Sequence, residues 1–110
     1  MQEPGLDRHE WETEWAALEP LVVDSPIEAL PELERFIEQL MVERGFPISV
    51  EEAKEREFEE PEILAEFLEA QRIARLVDRG ETVDPGDVGA AISGFRSLYE
   101  YLVNQPRIAG

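Results

Sequence analysis

The sequence predicts an all-α fold, a small helical bundle of about four main helices with mostly antiparallel neighbours. Two observations carry this. Apolar residues recur at spacings of three and four along four segments, two of which open on Ser-Pro or Asp-Pro and two of which close on Gly. No alternating strand pattern and no Asn-Gly hairpin signal interrupts them. Residues 7–104 read as a single helical domain, residues 1–6 as a frayed N-terminus and 105–110 as a loose C-terminal tail. Prolines near 20, 31 and 61 are expected to kink or break the helices that contain them.

The first helix is expected to begin at Asp7, which stands three residues before Glu10 in capping-box spacing. Trp11, Trp15 and Leu18 follow on one face. Pro20 ends or kinks this element, and Leu21-Val22-Val23 either closes it or connects onward. Ser25 and Glu28 form a second capping box with Pro26 at the first helical position. Because Pro31 removes a donor soon afterwards, the expectation is a short turn over 26–30 and a main helix over about 31–44. Leu33, Phe36, Ile37, Leu40 and Met41 give that helix its apolar face, and Gly45 stops it in the left-handed position. Ser49 and Glu52 make a third capping box. The strongly charged segment after it is either a short helix or the first part of a long helix kinked at Pro61. Ile63, Leu64, Phe67, Leu68, Ile73 and Val77 mark a helix over 62–79, with Arg75 and Arg79 favoured by the dipole at its end and Gly80 as its stop.

The last helix is the most informative. Asp84 is placed to cap it, Pro85 occupies the first position and Asp87 adds negative charge to the first turn. Val88, Ile92, Phe95, Tyr99 and Leu102 form a wide apolar stripe. The opposite face gathers Gly86, Ala90, Ser93, Gly94 and Ser97, with Tyr101 at its end. Glu, Lys or Arg are better helix formers than Gly or Ser, so a merely solvated face would ordinarily carry them. Small residues let another backbone approach, which makes this face a candidate interface for self-association. The plainer alternative is that the face is exposed and tolerated. Trp11 and Trp15 are further interface candidates, because aromatic anchors dominate binding energies. Their plainer role is to close one end of the core.

Composition removes several classes of function. There is no cysteine, so thiolate metal sites, thiol catalysis and disulfide frameworks are excluded. No apolar run is long enough to span a bilayer, and the first residues lack the basic and apolar regions of an export signal, so the cytoplasm is the expected location. The formal charge is −16, and residues 1–70 account for all of it, with 21 acids against five bases. Such a surface repels nucleic-acid phosphate and anionic lipid, and suits a basic protein partner.

The remaining chemistry is sparse. His9 is the only side chain that titrates near neutral pH without perturbation, but no nucleophile stands near it in a recognisable motif and it reads as a surface residue. A ferritin-like di-iron site needs a Glu-x-x-His pair that this chain cannot supply. Glu52, Glu55, Glu59, Glu62, Glu66 and Glu69 are spaced three and four apart. If the helix continues through Pro61 they form one negative stripe able to attract Ca²⁺, Mg²⁺ or Mn²⁺ through oxygen ligands. A solvated face is the plainer reading of that row. Gly80-Glu81-Thr82 lacks the spacing and the lysine of a phosphate loop, and Gly86, Gly89 and Gly94 are better explained by packing than by ligand approach.

The expected function is therefore a non-enzymatic interaction module, such as an adaptor, assembly factor or regulatory subunit. It would need no cofactor and would form a homodimer or larger assembly through the C-terminal helix. A carboxylate-based divalent-metal binder is the first alternative. The second is an acidic nucleic-acid mimic that occupies a basic protein's groove.

Overall fold

Each long helix of this protein starts on a proline. The computed structural model describes residues 4–105, with side chains from residue 8. It contains α1 (Pro4–Asp24), α2 (Pro26–Glu43), the short α3 (Val50–Glu55), α4 (Pro61–Asp78) and α5 (Pro85–Val103). Among the described residues there is no strand, and the fold is the small helical bundle expected. The first position of a helix leaves its N–H unbonded in any case and wants φ near −65°, so proline there is free of its usual penalty.

The starts differ from expectation in how they are capped. Because α1 already begins at Pro4, Asp7 lies inside the helix and does not cap it. Ser25 occupies the N-cap of α2, but its side chain makes no cap hydrogen bond. A single residue joins α1 to α2, so its backbone serves both. Its N–H closes α1 on the Leu21 carbonyl at 2.7 Å and its own carbonyl accepts from Ala29 N–H at 2.9 Å. Asp84 likewise caps α5 only through its backbone carbonyl, which accepts from Val88 N–H at 3.0 Å, and its carboxylate makes no cap bond. The box at α3 does form. Ser49 Oγ accepts from Glu52 N–H at 3.1 Å, and Glu52 Oε1 reaches back to Ile48 N–H at 2.9 Å.

Two of the three interior prolines fail to interrupt their helices. α1 passes through Pro20, and α2 runs unbroken through Pro31, so there is no separate turn over 26–30. A mid-helix proline costs about 3 kcal/mol, while fully burying one Leu or Ile returns about 1.5–3 kcal/mol. Ala29, Leu30 and Leu33 on both sides of Pro31 are fully buried, so holding the register outweighs the lost bond. The carbonyls left without a donor belong to Ala16 and Ile27, which are solvent-exposed residues. Past Pro20, Leu21 and Val22 pack against the core and continue α1.

At Pro61 the chain does break. α2, α3 and α4 all end alike: the N–H of the residue in the left-handed region bonds to the carbonyl three residues back, and the next N–H to the carbonyl five residues back. Gly45 (φ 86°) and Gly80 (φ 78°) hold this position after α2 and α4, and Glu57 (φ 50°) holds it after α3. Glu57 N–H reaches the Lys54 carbonyl at 3.2 Å and Phe58 N–H the Ala53 carbonyl at 2.9 Å.

The core is built on α5. Its Phe95, Leu98 and Leu102 are buried against α2 and α4, while α1 packs across α2 and α5. Residue pairs run in opposite order along α1 and α5 (Trp15 with Tyr99, Glu19 with Arg96) and along α4 and α5 (Glu60 with Tyr101, Ala70 with Gly94). These neighbours are antiparallel. α2 and α4 run in the same direction, since Gln71 bonds Glu34 and Arg75, one turn further along α4, acts electrostatically on Glu38, one turn further along α2, as the intervening crossover through α3 permits. Phe46 seals the α3 end of the bundle, edge-on to Phe58 at 5.5 Å and to Tyr101 at 6.2 Å.

The left-handed conformation costs a non-glycine residue roughly 1–2 kcal/mol, and glycine's extra freedom in the unfolded chain offsets roughly 0.5–1 kcal/mol of that. Glu57→Gly is therefore expected to stabilise the protein by about 0.5–1 kcal/mol, read as a higher urea midpoint at unchanged slope.

Candidate functional site

The small-residue face of α5 meets α4 at one point and is open elsewhere. A methyl group built at Gly94 would lie 3.7 Å from Ala70 Cβ and 3.8 Å from Glu66 Cγ, which is ordinary van der Waals contact. At Gly86 and Gly89 it would meet nothing within 4 Å. Packing within the chain therefore does not require glycine at 86 or 89, contrary to the expectation from the sequence. Gly86, Ala90, Ser93 and Ser97 are solvent-exposed.

Beside this face, α4 and α5 leave a shallow groove of about 390 Å³. Its floor is Ala70, Ile73 and Ala91, all buried, and one wall is Ala90, Ser93, Gly94 and Ser97. Glu66 and Glu69 of α4 and Asp87 of α5 stand on its rim, and no Lys or Arg lines it. Arg72, one turn along α4, donates from Nη2 to Glu69 Oε2 at 2.7 Å and holds that carboxyl below the usual range. Glu66 makes no hydrogen bond or ion pair among the described residues, and burial pushes its carboxyl above the ordinary value.

The other interface candidates pack within the chain. Trp15 is buried and stacked on Tyr99, with ring centroids 4.3 Å apart and planes 5° apart. Trp11 is half-buried, edge-on to Phe36 at 5.5 Å. The indoles thus fasten α1 to α2 and α5, which is the plainer of the two roles open to them. Tyr101 is half-buried as well. Its hydroxyl donates to Glu60 Oε1, and that bond first, with burial second, raises the phenol above its ordinary value.

The glutamate row does not form one stripe, because α3 ends at Glu55 and α4 starts at Pro61. Glu52 is engaged by Ile48 N–H and by Arg56 at 2.9 Å, and Glu59 lies in the bend between the helices. No group of three or more His, Cys, Asp or Glu among the described residues is arranged to hold a metal ion. His9 is exposed on α1, where its carbonyl accepts from Thr13 Oγ1 at 2.9 Å.

Sequence reasoning missed two buried or half-buried polar links. Arg44 is buried and donates from Nε to the Leu102 carbonyl at 3.0 Å, placing a cation at the C-terminus of α5 where the dipole favours it. Glu34 and Glu38 share a hydrogen bond on α2, and Glu34 also accepts from Gln71 Nε2 of α4 at 2.9 Å. Burial first, then the bond and charge of Glu34, push the Glu38 carboxyl above its usual range, and Arg75 acts the other way.

A group with a raised folded-state pKa binds its proton more tightly when folded. The stability Glu38 contributes is thus present below the usual carboxylate range and lost as pH rises through its folded value. Glu38→Gln is expected to be more stable than the parent at pH 7, with the difference vanishing in mild acid, as followed by thermal melts across that range. Trp15→Ala should lower unfolding free energy by about 3–5 kcal/mol, the cost of emptying a buried aromatic site. A Trp serving only an external interface would leave urea unfolding unchanged. No protein-family model matches the chain, and neither the curated proteins nor the solved structures contain a match to it.

Proposed function

We propose that this protein is a non-enzymatic interaction module whose docking surface is the small-residue face of α5 with the adjoining α4–α5 groove. The observation that carries this reading is the open small-residue wall of Ala90, Ser93, Gly94 and Ser97. Ala90, Ser93 and Ser97 are exposed, and serine is a poorer helix former than the charged residues that usually occupy such positions. A close external backbone, laid across Ala90, Ser93 and Ser97, gives those residues a role. The groove follows α5 from Asp87 to Ser97, about 15 Å at 1.5 Å per residue, which matches nearly three turns of a partner helix. On steric grounds the partner is either a second copy of the chain, giving a homodimer, or a helix of another protein.

The test combines sedimentation equilibrium of the chain with fluorescence anisotropy on labelled amphipathic helical peptides of about five turns, in basic, neutral and acidic versions. Ser93 is exposed, so Ser93→Trp blocks the groove while leaving the core intact. Self-association or peptide binding that is lost in Ser93→Trp is the expected result. A strictly monomeric chain that binds no peptide, or binding that Ser93→Trp leaves unchanged, sinks the proposal.

A further inference from the structure

Resting on the groove reading above, we infer that the occupant is a basic amphipathic helix of another protein, with arginine or lysine flanking a stripe of small apolar residues, and not a second copy of this chain. Three acids and no base face the groove, so its field selects a cation. Those acids are not equivalent. Glu69 is already paired with Arg72, and Arg72 also lies within electrostatic reach of Asp87. Glu66 alone on the rim has no cation, although its burial disfavours the bare charge. A guanidinium or ammonium group from outside would answer that charge where nothing in the described chain does.

The same arrangement argues against self-association. A two-fold dimer juxtaposes one patch with itself, so each groove would meet a second rim of Glu66, Glu69 and Asp87. The two chains would also bring together formal charges of −16 each. A basic helix meets the reverse situation, since the long-range field attracts it and the small-residue wall lets its backbone approach. The floor of Ala70, Ile73 and Ala91 offers it an apolar seat.

Binding of matched peptides tests this directly. The probes share one Ala/Leu face and differ only in flanking residues, all arginine, all glutamine or all glutamate. With the full chain, the arginine peptide should bind at least about tenfold more tightly than the glutamine peptide, and weaken steeply as salt rises. Glu66→Gln, an exposed position whose change leaves the core untouched, should erase most of that preference while preserving affinity for the glutamine peptide. Circular dichroism confirms that the variant is folded. Equal affinity for arginine and glutamine peptides, both lost in Ser93→Trp, would overturn the basic occupant while leaving the groove as the docking surface. A wild-type dimer that Ser93→Trp dissociates would overturn it in favour of a second copy. Failure of every peptide in a monomeric chain would remove the groove reading itself.

Discussion

The burial of α5 between α2 and α4 is the interaction on which the rest of the fold depends. Phe95, Leu98 and Leu102 of α5 are buried, and α5 packs most extensively on α2 and α4, while α2 in turn also carries α1 and α4. Tyr99 extends the same stripe far enough to stack on Trp15, so α1 docks on a surface that α5 and α2 create together. The C-terminal end is fixed by a polar link. A buried guanidinium is tolerated because its donors are directed at acceptors, and a carbonyl at a helix end is an acceptor left over from the helix ladder. The Arg44 bond to Leu102 therefore ties the end of α2 to the end of α5.

Charge sets the second constraint. A chain of formal charge −16 repels itself when compact, and the arginines relieve this only locally. Arg8–Glu12, Arg35–Glu32, Arg56–Glu52 and Arg72–Glu69 are exposed pairs within one helix or its cap, each worth at most about 1 kcal/mol. Arg96–Glu19 is the exception in kind, since it joins α5 to α1. The structure handles two further acids by partial burial. On α2, Glu38 lies against Glu34, whose carboxylate accepts from Gln71 of α4, and within electrostatic reach of Arg75, whereas Glu66 sits at the groove with no such company. The first acid resides in the bundle's own contacts, and the second stands at the groove's rim.

The helical segments were legible because burial and periodicity agree in this chain. The spacing of Leu33, Phe36, Ile37, Leu40 and Met41 predicts one face of a helix, and they are buried together. Helix ends were legible where the residue type enforced the backbone, as at Gly45 and Gly80, and illegible at Glu57, where an ordinary residue takes the same left-handed turn. Capping residues were over-read. Ser25 and Asp84 stand at N-caps, yet whether a side chain bonds depends on backbone angles that the connecting loop imposes, and only Ser49 has both the loop and the bond. Pro31 misled for the opposite reason, because local propensity says nothing about the burial of Leu30 and Leu33 on either side of it. The small face of α5 could be read from spacing alone. That its open side borders α4 could not, since helix order in a bundle is a tertiary fact, and neither could the long-range partner of Arg44.

The placement of the small face follows from how the helices divide the surface of α5. Three helices pack on α5, and the bulky stripe is used on α2, α4 and the Trp15 side of α1. The seam left on the outside is the one between α4 and α5, where Gly94 faces Ala70 and Glu66 with room for a methyl group and where residues 90, 93 and 97 are exposed. Helix propensity alone would favour alanine, leucine, glutamate or arginine over serine at positions 93 and 97. Ser93 and Ser97 lower helix propensity, and with Ala90 they keep a strip of backbone accessible. On the proposed reading, an acidic rim above an apolar floor restricts what can lie on that strip, because a neutral helix leaves Glu66 without a counter-charge and an acidic one adds repulsion. The seam would then discriminate among occupants by charge before any shape is compared.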